Sequence, residues 1–336
     1  EGNMMSDKIN WGILGTAEIA ETQVIPAIQS ASNATLAAIA SGSGKEREFA
    51  AKYRIPKAYG TYEELLDDPD IDMVYIPLPN GLHSKWVKAA AIRGKHVLCE
   101  KPAALTARET SEMIDVCEQH HVLFMEALMY QFHPQHQRVK EMVRSGAIGE
   151  VVLMRSSFTF MLKKLEGNFR LHPQNGGGSI YDIGCYCIHA IREIMGEPES
   201  VSSWGRISAS HQVDLSAIAI LDFANGTKSY FDCGMNMSTR HEYEIVGTRG
   251  TIRVPKAFIP QADGEGLIQL TDQQGNMQEE RHYGNYYKLG VEHLSSCLLD
   301  RTQPRYGTEG SIRNMKVIDA CLASIASHNH APVSIR

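Results

Sequence analysis

The chain has 336 residues, of which 43% are hydrophobic and 21% charged, and a formal net charge of −6. This is more chain than one hydrophobic core usually serves, so about two domains are expected and disorder is excluded. Lys and Arg form no run long enough to track a polyanion, and no apolar stretch approaches the ~20 residues that span a bilayer. Neither nucleic acid nor a membrane is therefore an expected partner.

The cysteines (Cys99, Cys117, Cys185, Cys187, Cys233, Cys297 and Cys321) are odd in number, scattered, and without a C-x-x-C pair. No disulfide framework and no metal site is indicated, and a cytoplasmic location is expected. The opening Glu1–Met5 lacks the basic-then-apolar pattern of a secretion signal and reads as an appended leader ahead of a start at Met4 or Met5.

From Ile9 to Ala127 short apolar runs alternate with helical segments. Strands are expected at Ile9–Leu14, Leu36–Ser41, Met73–Leu78, His96–Cys99 and Val122–Glu126. Helices are expected at Glu18–Ala31 (disturbed at Pro26), Lys45–Tyr53, Tyr62–Leu66, His83–Arg93 and from Thr106 to His120. Thr61 with Glu64, and Thr106 with Glu109, have capping-box spacing. Near-continuous apolar strands separated by helices imply a doubly wound parallel sheet covered on both faces.

The second half is different. A helix at Pro134–Ser145 precedes longer strands at Val151–Phe160, Val201–Ser208, Ser216–Phe223, Lys228–Cys233, Tyr243–Val246 and Thr251–Val254. Asn225-Gly226 and Arg249-Gly250 mark hairpin turns, and helices are expected at Ile183–Met195, Leu289–Leu299 and Glu309–Ser327. The expected fold class is α/β: a Rossmann domain over residues 6–127, then an α+β domain over 128–336 with a large, mostly antiparallel sheet and helices on one face.

Gly15-Thr16-Ala17-Glu18-Ile19-Ala20 follows the first strand and opens the first helix. It is a relaxed dinucleotide fingerprint. Gly15 makes the tight turn, Ala17 and Ala20 are small enough for pyrophosphate approach, and the helix N–H groups face the phosphates. The second strand ends in Ser41-Gly42-Ser43-Gly44-Lys45, with Arg47 beyond and no carboxylate before Glu46. Hydroxyls and cations suit a 2′-phosphate, so NADP(H) is favoured over NAD(H). Two further strand ends carry unusual chemistry: Pro77-Leu78-Pro79-Asn80 with His83, and Glu100-Lys101-Pro102. Ligands of open parallel sheets bind beyond such carboxyl ends. A lysine there can polarise a hydroxyl or lower a neighbour's pKa.

These motifs, with Gly94–Pro102, Gly146–Glu150, Gly176-Gly177-Gly178 followed by Asp182, and Gly247–Thr251, resemble in order the Gfo/Idh/MocA family (glucose–fructose oxidoreductase, inositol dehydrogenase, rhizopine catabolism). The resemblance spans nearly the whole chain. In the inositol-dehydrogenase branch an Asp is followed four residues later by a His that carries the proton. Here Asp182 is followed by Tyr186, which resembles the branch of glucose–fructose oxidoreductase, dihydrodiol dehydrogenases and NADP-dependent xylose dehydrogenases.

The resemblance implies that Tyr186 is the general acid/base, Lys101 its tuner and substrate orienter, and Asp182 a partner of substrate or Lys101. A tyrosine near pKa 10 is a poor base unless a cation stabilises its phenolate. Asp182 and Tyr186 stand one helical turn apart if the helix is α from its start. Arg170, ahead of the glycines, is a candidate for a substrate hydroxyl. His189 reads as structural, and Gln131 stands where the family often has Arg and receives no role. The implied activity is hydride transfer between a nicotinamide and a sugar, polyol or vicinal diol, in a homodimer or homotetramer built through the C-terminal sheet. Three readings compete: a catalytically silent NADP sensor, which would need neither Lys101 nor Tyr186; a reductase of a non-sugar carbonyl; and a carbohydrate-binding module, which would leave the Gly15 turn unexplained.

Overall fold

In this computed structural model residues 8–327 and 331–333 are described; the start expected at Met4 or Met5 lies outside them. The apolar runs of the first half form β1 (Ile9–Leu14), β2 (Ala34–Ala40), β3 (Lys57–Tyr59), β4 (Met73–Ile76), β5 (His96–Cys99) and β6 (Phe124–Glu126). They pair in the order β3-β2-β1-β4-β5-β6, every pair parallel. The order reverses between β1 and β4, the switch point of a doubly wound sheet. β4 is buried along its whole length, as a strand covered on both faces must be.

The helices of this half are α1 (Ile25–Ser30), α2 (Glu46–Tyr53), α3 (Tyr62–Leu66), α4 (His83–Ile92) and α5 (Ala107–Gln119). The Thr61 box forms: Glu64 N–H donates to Thr61 Oγ1 at 3.2 Å, and Thr61 N–H donates to Glu64 Oε2 at 3.1 Å. The helix expected over Glu18–Ala31 runs without a break over residues 18–30, and the disturbance expected near Pro26 is a π turn. Ala20–Val24 winds as a π-helix, and α1 then begins at Ile25 with Pro26 in its first turn. Proline has no N–H to give back to the preceding turn, and the wider π turn directly ahead of Pro26 is where the helix absorbs that loss.

The second half contributes α6 (Pro134–Arg144), β7 (Val151–Met161), α7 (Cys185–Met195), β8 (Ser200–Ile207), β9 (Asp214–Asp222), β10 (Lys228–Gly234), β11 (Asn236–Gly247) and β12 (Gly250–Val254). Then come β13 (Glu265–Asp272), β14 (Met277–Tyr283), α8 (Tyr286–Asp300), α9 (Thr308–Ser327) and β15 (Ala331–Pro332). The sheet order is β14-β13-β12-β11-β7-β10-β9-β8-β15, antiparallel except between β7 and β10. Both expected hairpins form, at Asn225-Gly226 and Arg249-Gly250.

One face of this sheet is buried through Val201, Ala217, Ala219, Leu221, Phe231 and Cys233. Ser203 on β8 donates to the Cys321 carbonyl of α9 at 2.6 Å, and Arg192 of α7 donates to Asn314 of α9 at 2.9 Å. On the other face Trp204 and Ile218, register partners on β8 and β9, are 56% and 54% exposed.

The chain divides into two units. The first runs up to Ala104 and adds Arg108–Met129 and Tyr287–Ser311; the second comprises Leu105–Ala107, Tyr130–Tyr286 and the chain from Ile312. The expected boundary at 127/128 lies beside the Met129/Tyr130 transition. The return of Tyr287–Ser311 to the first unit is a difference. Its residues fasten to the sheet, with Trp11 Nε1 donating to Ser295 Oγ at 3.0 Å and Asn33 Nδ2 to Glu292 O at 2.9 Å. Among the described residues no helix is long and apolar enough to cross a membrane, and none of the seven cysteines is in a disulfide.

Candidate active site

In the first unit the candidate residues gather at the carboxyl ends of β1, β2, β4 and β5. Gly15 ends the β1 turn with φ +114°. A side chain there would be strained by that φ and would meet Leu78 Cδ2 at 3.2 Å. Gly15 N–H donates to Ala40 O at 2.8 Å, which ties the turn to β2. Thr16 and Ala17 are half-buried and Glu18 is exposed, so the start of the following helix meets solvent. At the end of β2, Ser41 and Ser43 share a hydroxyl–hydroxyl bond of 2.7 Å, and Ser43 N–H donates to Ser41 Oγ at 3.1 Å. Gly42, Ser43, Gly44, Lys45 and Arg47 are exposed. Glu46 turns inward and is buried, so its carboxylate does not face an anion arriving at the loop.

Glu100 uses its carboxylate locally. Tyr75 Oη donates to Oε1 at 2.6 Å and Lys101 N–H to Oε2 at 3.2 Å. The Lys101–Pro102 peptide bond is cis. Glu126, wholly buried on β6, accepts the Ala103 N–H at 3.0 Å. Pro77 and Pro79 lie in the loop after β4, and Asn80 opens the 3-10 turn Asn80–Leu82.

His83 departs from expectation. It is fully buried, with Nδ1 at 2.9 Å from Pro102 O and Nε2 at 2.7 Å from Leu78 O. Both nitrogens are engaged by main chain, so His83 does not face a cofactor; it ties the loop after β4 to the loop after β5. Burial pushes its pKa down.

In the second unit Arg170, Asp182 and Tyr186 come together around the triple glycine. Arg170 sits on the short 3-10 turn Phe169–Leu171, which Asn168 caps. Its Nε donates to Asp182 Oδ2 at 2.7 Å, with side chains 31% and 6% exposed. Its guanidinium also lies over the Phe169 ring at 4.7 Å. Asp182 belongs to a π-helical turn, Ile180–Gly184, that leads into α7. The regular α spacing expected between Asp182 and Tyr186 is therefore replaced by one that includes wider i→i+5 turns.

The Tyr186 ring is packed by Phe158, Phe258 and Tyr130, with centroids 5.2, 5.7 and 5.8 Å away. Tyr130 Oη in turn bonds His189 Nδ1 at 2.6 Å. Burial pushes both His189 and His136 down to about 3, so both are neutral. His189 is structural, as expected.

Asp214, at the start of β9, was not expected in the site. It is buried, and its Oδ2 accepts from Ser179 Oγ at 2.6 Å and from Ile180 N–H at 2.8 Å. Burial lifts its carboxyl to about 6 against these hydrogen bonds. A lone Asp between Val213 and Leu215 carries no sequence signal beyond a strand start.

Comparison with known proteins agrees with this architecture. Residues 9–128 match the oxidoreductase family with an NAD-binding Rossmann fold, and residues 136–253 match the GFO/IDH/MocA C-terminal domain. D-xylose 1-dehydrogenase (NADP(+)) 2 of Haloferax volcanii is 37% identical over 94% of this chain and 96% of its own length. Trans-1,2-dihydrobenzene-1,2-diol dehydrogenase of Mus musculus is 32% identical over 75% of this chain and 76% of its own. KijD10, a 3-ketoreductase from Actinomadura kijaniata solved in complex with NADP and TDP-benzene, is 28% identical. It matches with a TM-score of 0.89, covering 94% of this chain and 98% of that one. With both domains matched in order, the chain belongs to the Gfo/Idh/MocA family of oxidoreductases.

Proposed function

We propose that this chain is an NADP-dependent dehydrogenase or reductase acting on a sugar, polyol or vicinal diol, with Tyr186 moving the hydroxyl proton. The observation that carries the reading is the Arg170–Asp182 pair on the helix start that bears Tyr186, whose ring is fixed on several sides by aromatic neighbours. A fixed, half-exposed phenol with a carboxylate and a guanidinium nearby offers a carbinol both a proton acceptor and hydroxyl partners.

The first unit fits NADP(H). The Gly15 turn, with its positive φ and a helix starting just beyond it, is the kind of strand-to-helix turn that takes a pyrophosphate on helix N–H groups. The Ser41–Arg47 loop offers two linked hydroxyls and two exposed cations to a 2′-phosphate, and its one carboxylate is buried. When bound, the nicotinamide supplies hydride acceptance or donation. The chain supplies the rest. Lys101 stabilises the phenolate form of Tyr186 and orients the hydroxyl; Tyr186 Oη takes the proton in oxidation and returns it in reduction. Arg170 and Asp182 hold neighbouring hydroxyls. The relatives that oxidise D-xylose or a dihydrodiol and the 3-ketoreductase bracket this substrate class.

The exposed Trp204–Ile218 face supports a homodimer or homotetramer through the second sheet. The absence of disulfides among seven cysteines supports the cytoplasm. Incubating the protein with NADP+ and a panel of aldoses, cyclic polyols and vicinal diols, following absorbance of the reduced cofactor, tests the activity. Turnover with any class establishes the dehydrogenase. Silence across the panel with NADPH binding intact overturns it in favour of a carbonyl reductase of another kind or a cofactor sensor.

A further inference from the structure

The helix start that carries Asp182 and Tyr186 is not held by its own sequence. Its π turn begins at Ile180, and no side chain at its N-terminal edge caps it. The fastening comes from β9. Asp214 Oδ2 accepts the Ser179 hydroxyl and the Ile180 N–H, while Cys233 Sγ lies 3.4 Å from Ser179 Oγ. Just upstream, Gly178 has φ +113°, and a Cβ on it would run into Asp214 Oδ1. Glycine and carboxylate are therefore fitted to one another.

A second fastening closes the circuit. Gly178 N–H donates to Arg170 O at 2.9 Å, Asp182 N–H donates to Gly178 O at 3.1 Å, and the Arg170 side chain grips Asp182. Asp214 thus fixes one end of a loop whose other end is the Arg170–Asp182 pair. From this circuit we infer that Asp214 is a positioning residue for the reaction: it clamps Gly178–Ile180 and thereby aims Asp182 and Tyr186.

The inference rests on the proposed roles of Asp182 and Tyr186. Energetics argue in its favour independently. A carboxylate that burial pushes up to about 6 is ionised at neutral pH at a cost to folding. A group that costs stability where it stands is explained by what it holds in place. The groups that Asp214 holds, Ser179 and Ile180, belong to the second unit, so its effect belongs in turnover and not in NADPH affinity.

The test compares Asp214→Asn and Asp214→Ala with the wild-type chain, reading kcat and KM for the best substrate of the panel, NADPH affinity by fluorescence titration, and thermal midpoint at pH 8. The amide keeps one acceptor for Ser179 and Ile180 and loses the charge; alanine loses both. The expected result is a graded kcat, down about tenfold for Asn and about a hundredfold for Ala. KM and NADPH affinity stay within about threefold, and the midpoint of the Asn variant is unchanged or raised. If Asp214→Ala does not fold, Asp214→Asn decides alone. An Asn variant with wild-type kcat, or a loss of kcat that merely follows a lowered midpoint or weakened NADPH binding, overturns the inference. Tyr186→Phe run alongside separates the two levels. A fully active Tyr186→Phe sinks the proton-carrier reading; an inactive one beside a normal Asp214 series sinks only the positioning role.

Discussion

The two glycine turns of this chain are alike in outline and differ in what is added to their main-chain bonds. Gly15 and Gly178 adopt φ +114° and +113°, and each leads into a helix that passes through a π turn, Ala20–Val24 in one case and Ile180–Gly184 in the other. The first turn is fastened by main chain, through Gly15 N–H on Ala40 O. The second has a main-chain bond as well, Gly178 N–H on Arg170 O, and adds side chains: Asp214 on Ser179 and Ile180, and Arg170 on Asp182. The difference follows from what each presents. A pyrophosphate is met by backbone N–H groups, which ask for small side chains at the turn and not for charged ones. A carbinol needs a particular phenol and carboxylate at particular places, and these require ionic clamps.

The comparison predicts where substitutions will be felt, beginning with the largest effect. Tyr186→Phe removes the proposed proton carrier and Lys101→Ala its proposed cation. Each is expected to lower kcat by about 10²–10⁴-fold while NADPH affinity stays near wild type. Steady-state kinetics beside a fluorescence titration reads both quantities, and unchanged turnover in Tyr186→Phe removes the assignment.

Next is the clamp itself. Arg170→Ala strips the partner from a carboxylate that is only 6% exposed at its side chain. Because Arg170 is itself 31% exposed, the loss falls below that of a fully buried pair, and about 100-fold in kcat/KM is expected. A comparable loss of NADPH affinity in this variant would erase the distinction between the two turns, since the clamp would then serve the cofactor as well.

The same distinction explains which features were legible. β1, β4 and β5 read directly from apolar runs, and the Thr61–Glu64 box from its spacing, because these signals are local. β3 is three residues long between Pro56 and Gly60, and β14 is a largely exposed edge strand rich in Gln and Glu, so neither shows the alternation that marks a strand. At the site, Asp182 and Tyr186 were found through their glycines. Asp214 was missed because its partner Ser179 is 35 residues away. His83 was misassigned for a similar reason: its ring is consumed by Pro102 O as well as by the nearby Leu78 O. Long-range pairing decides the role of a buried polar residue, and one sequence does not contain it.

Acid acts on the second unit through two histidines. His136 and His189 are fully buried there, each pushed down to about 3 by burial. Stability from keeping them neutral is complete above pH 6.5 and is lost as pH falls towards 3; at pH 5 each costs about 2 kcal/mol. Asp214 has the opposite sign. Its carboxyl is raised to about 6, so its penalty fades as pH falls through that value and returns about 1 kcal/mol at pH 5. From these three groups the net loss is roughly 3 kcal/mol, visible as a thermal midpoint that drops between pH 7 and pH 5. In Asp214→Asn the drop steepens, because the compensating group is gone. A midpoint flat across this range would mean that the two histidines are protonated in the folded chain.

The smallest expected effect lies on the first unit, where main chain does most of the holding. Ser41→Asp places a carboxylate at the end of β2, against a 2′-phosphate and towards ribose hydroxyls. Ser41 is buried but its hydroxyl is bonded to exposed Ser43, so the new charge stands next to the rim of the loop. The pyrophosphate contacts of the Gly15 turn are common to both cofactors and should not change. NADPH affinity should fall by about tenfold and NADH affinity should rise by a smaller factor, with kcat for the preferred cofactor little altered. Paired titrations with the two reduced cofactors measure this. A Ser41→Asp chain that keeps its full NADPH preference would move the 2′-phosphate contact away from Ser41 and onto Lys45 and Arg47, where Lys45→Ala and Arg47→Ala would then carry the loss.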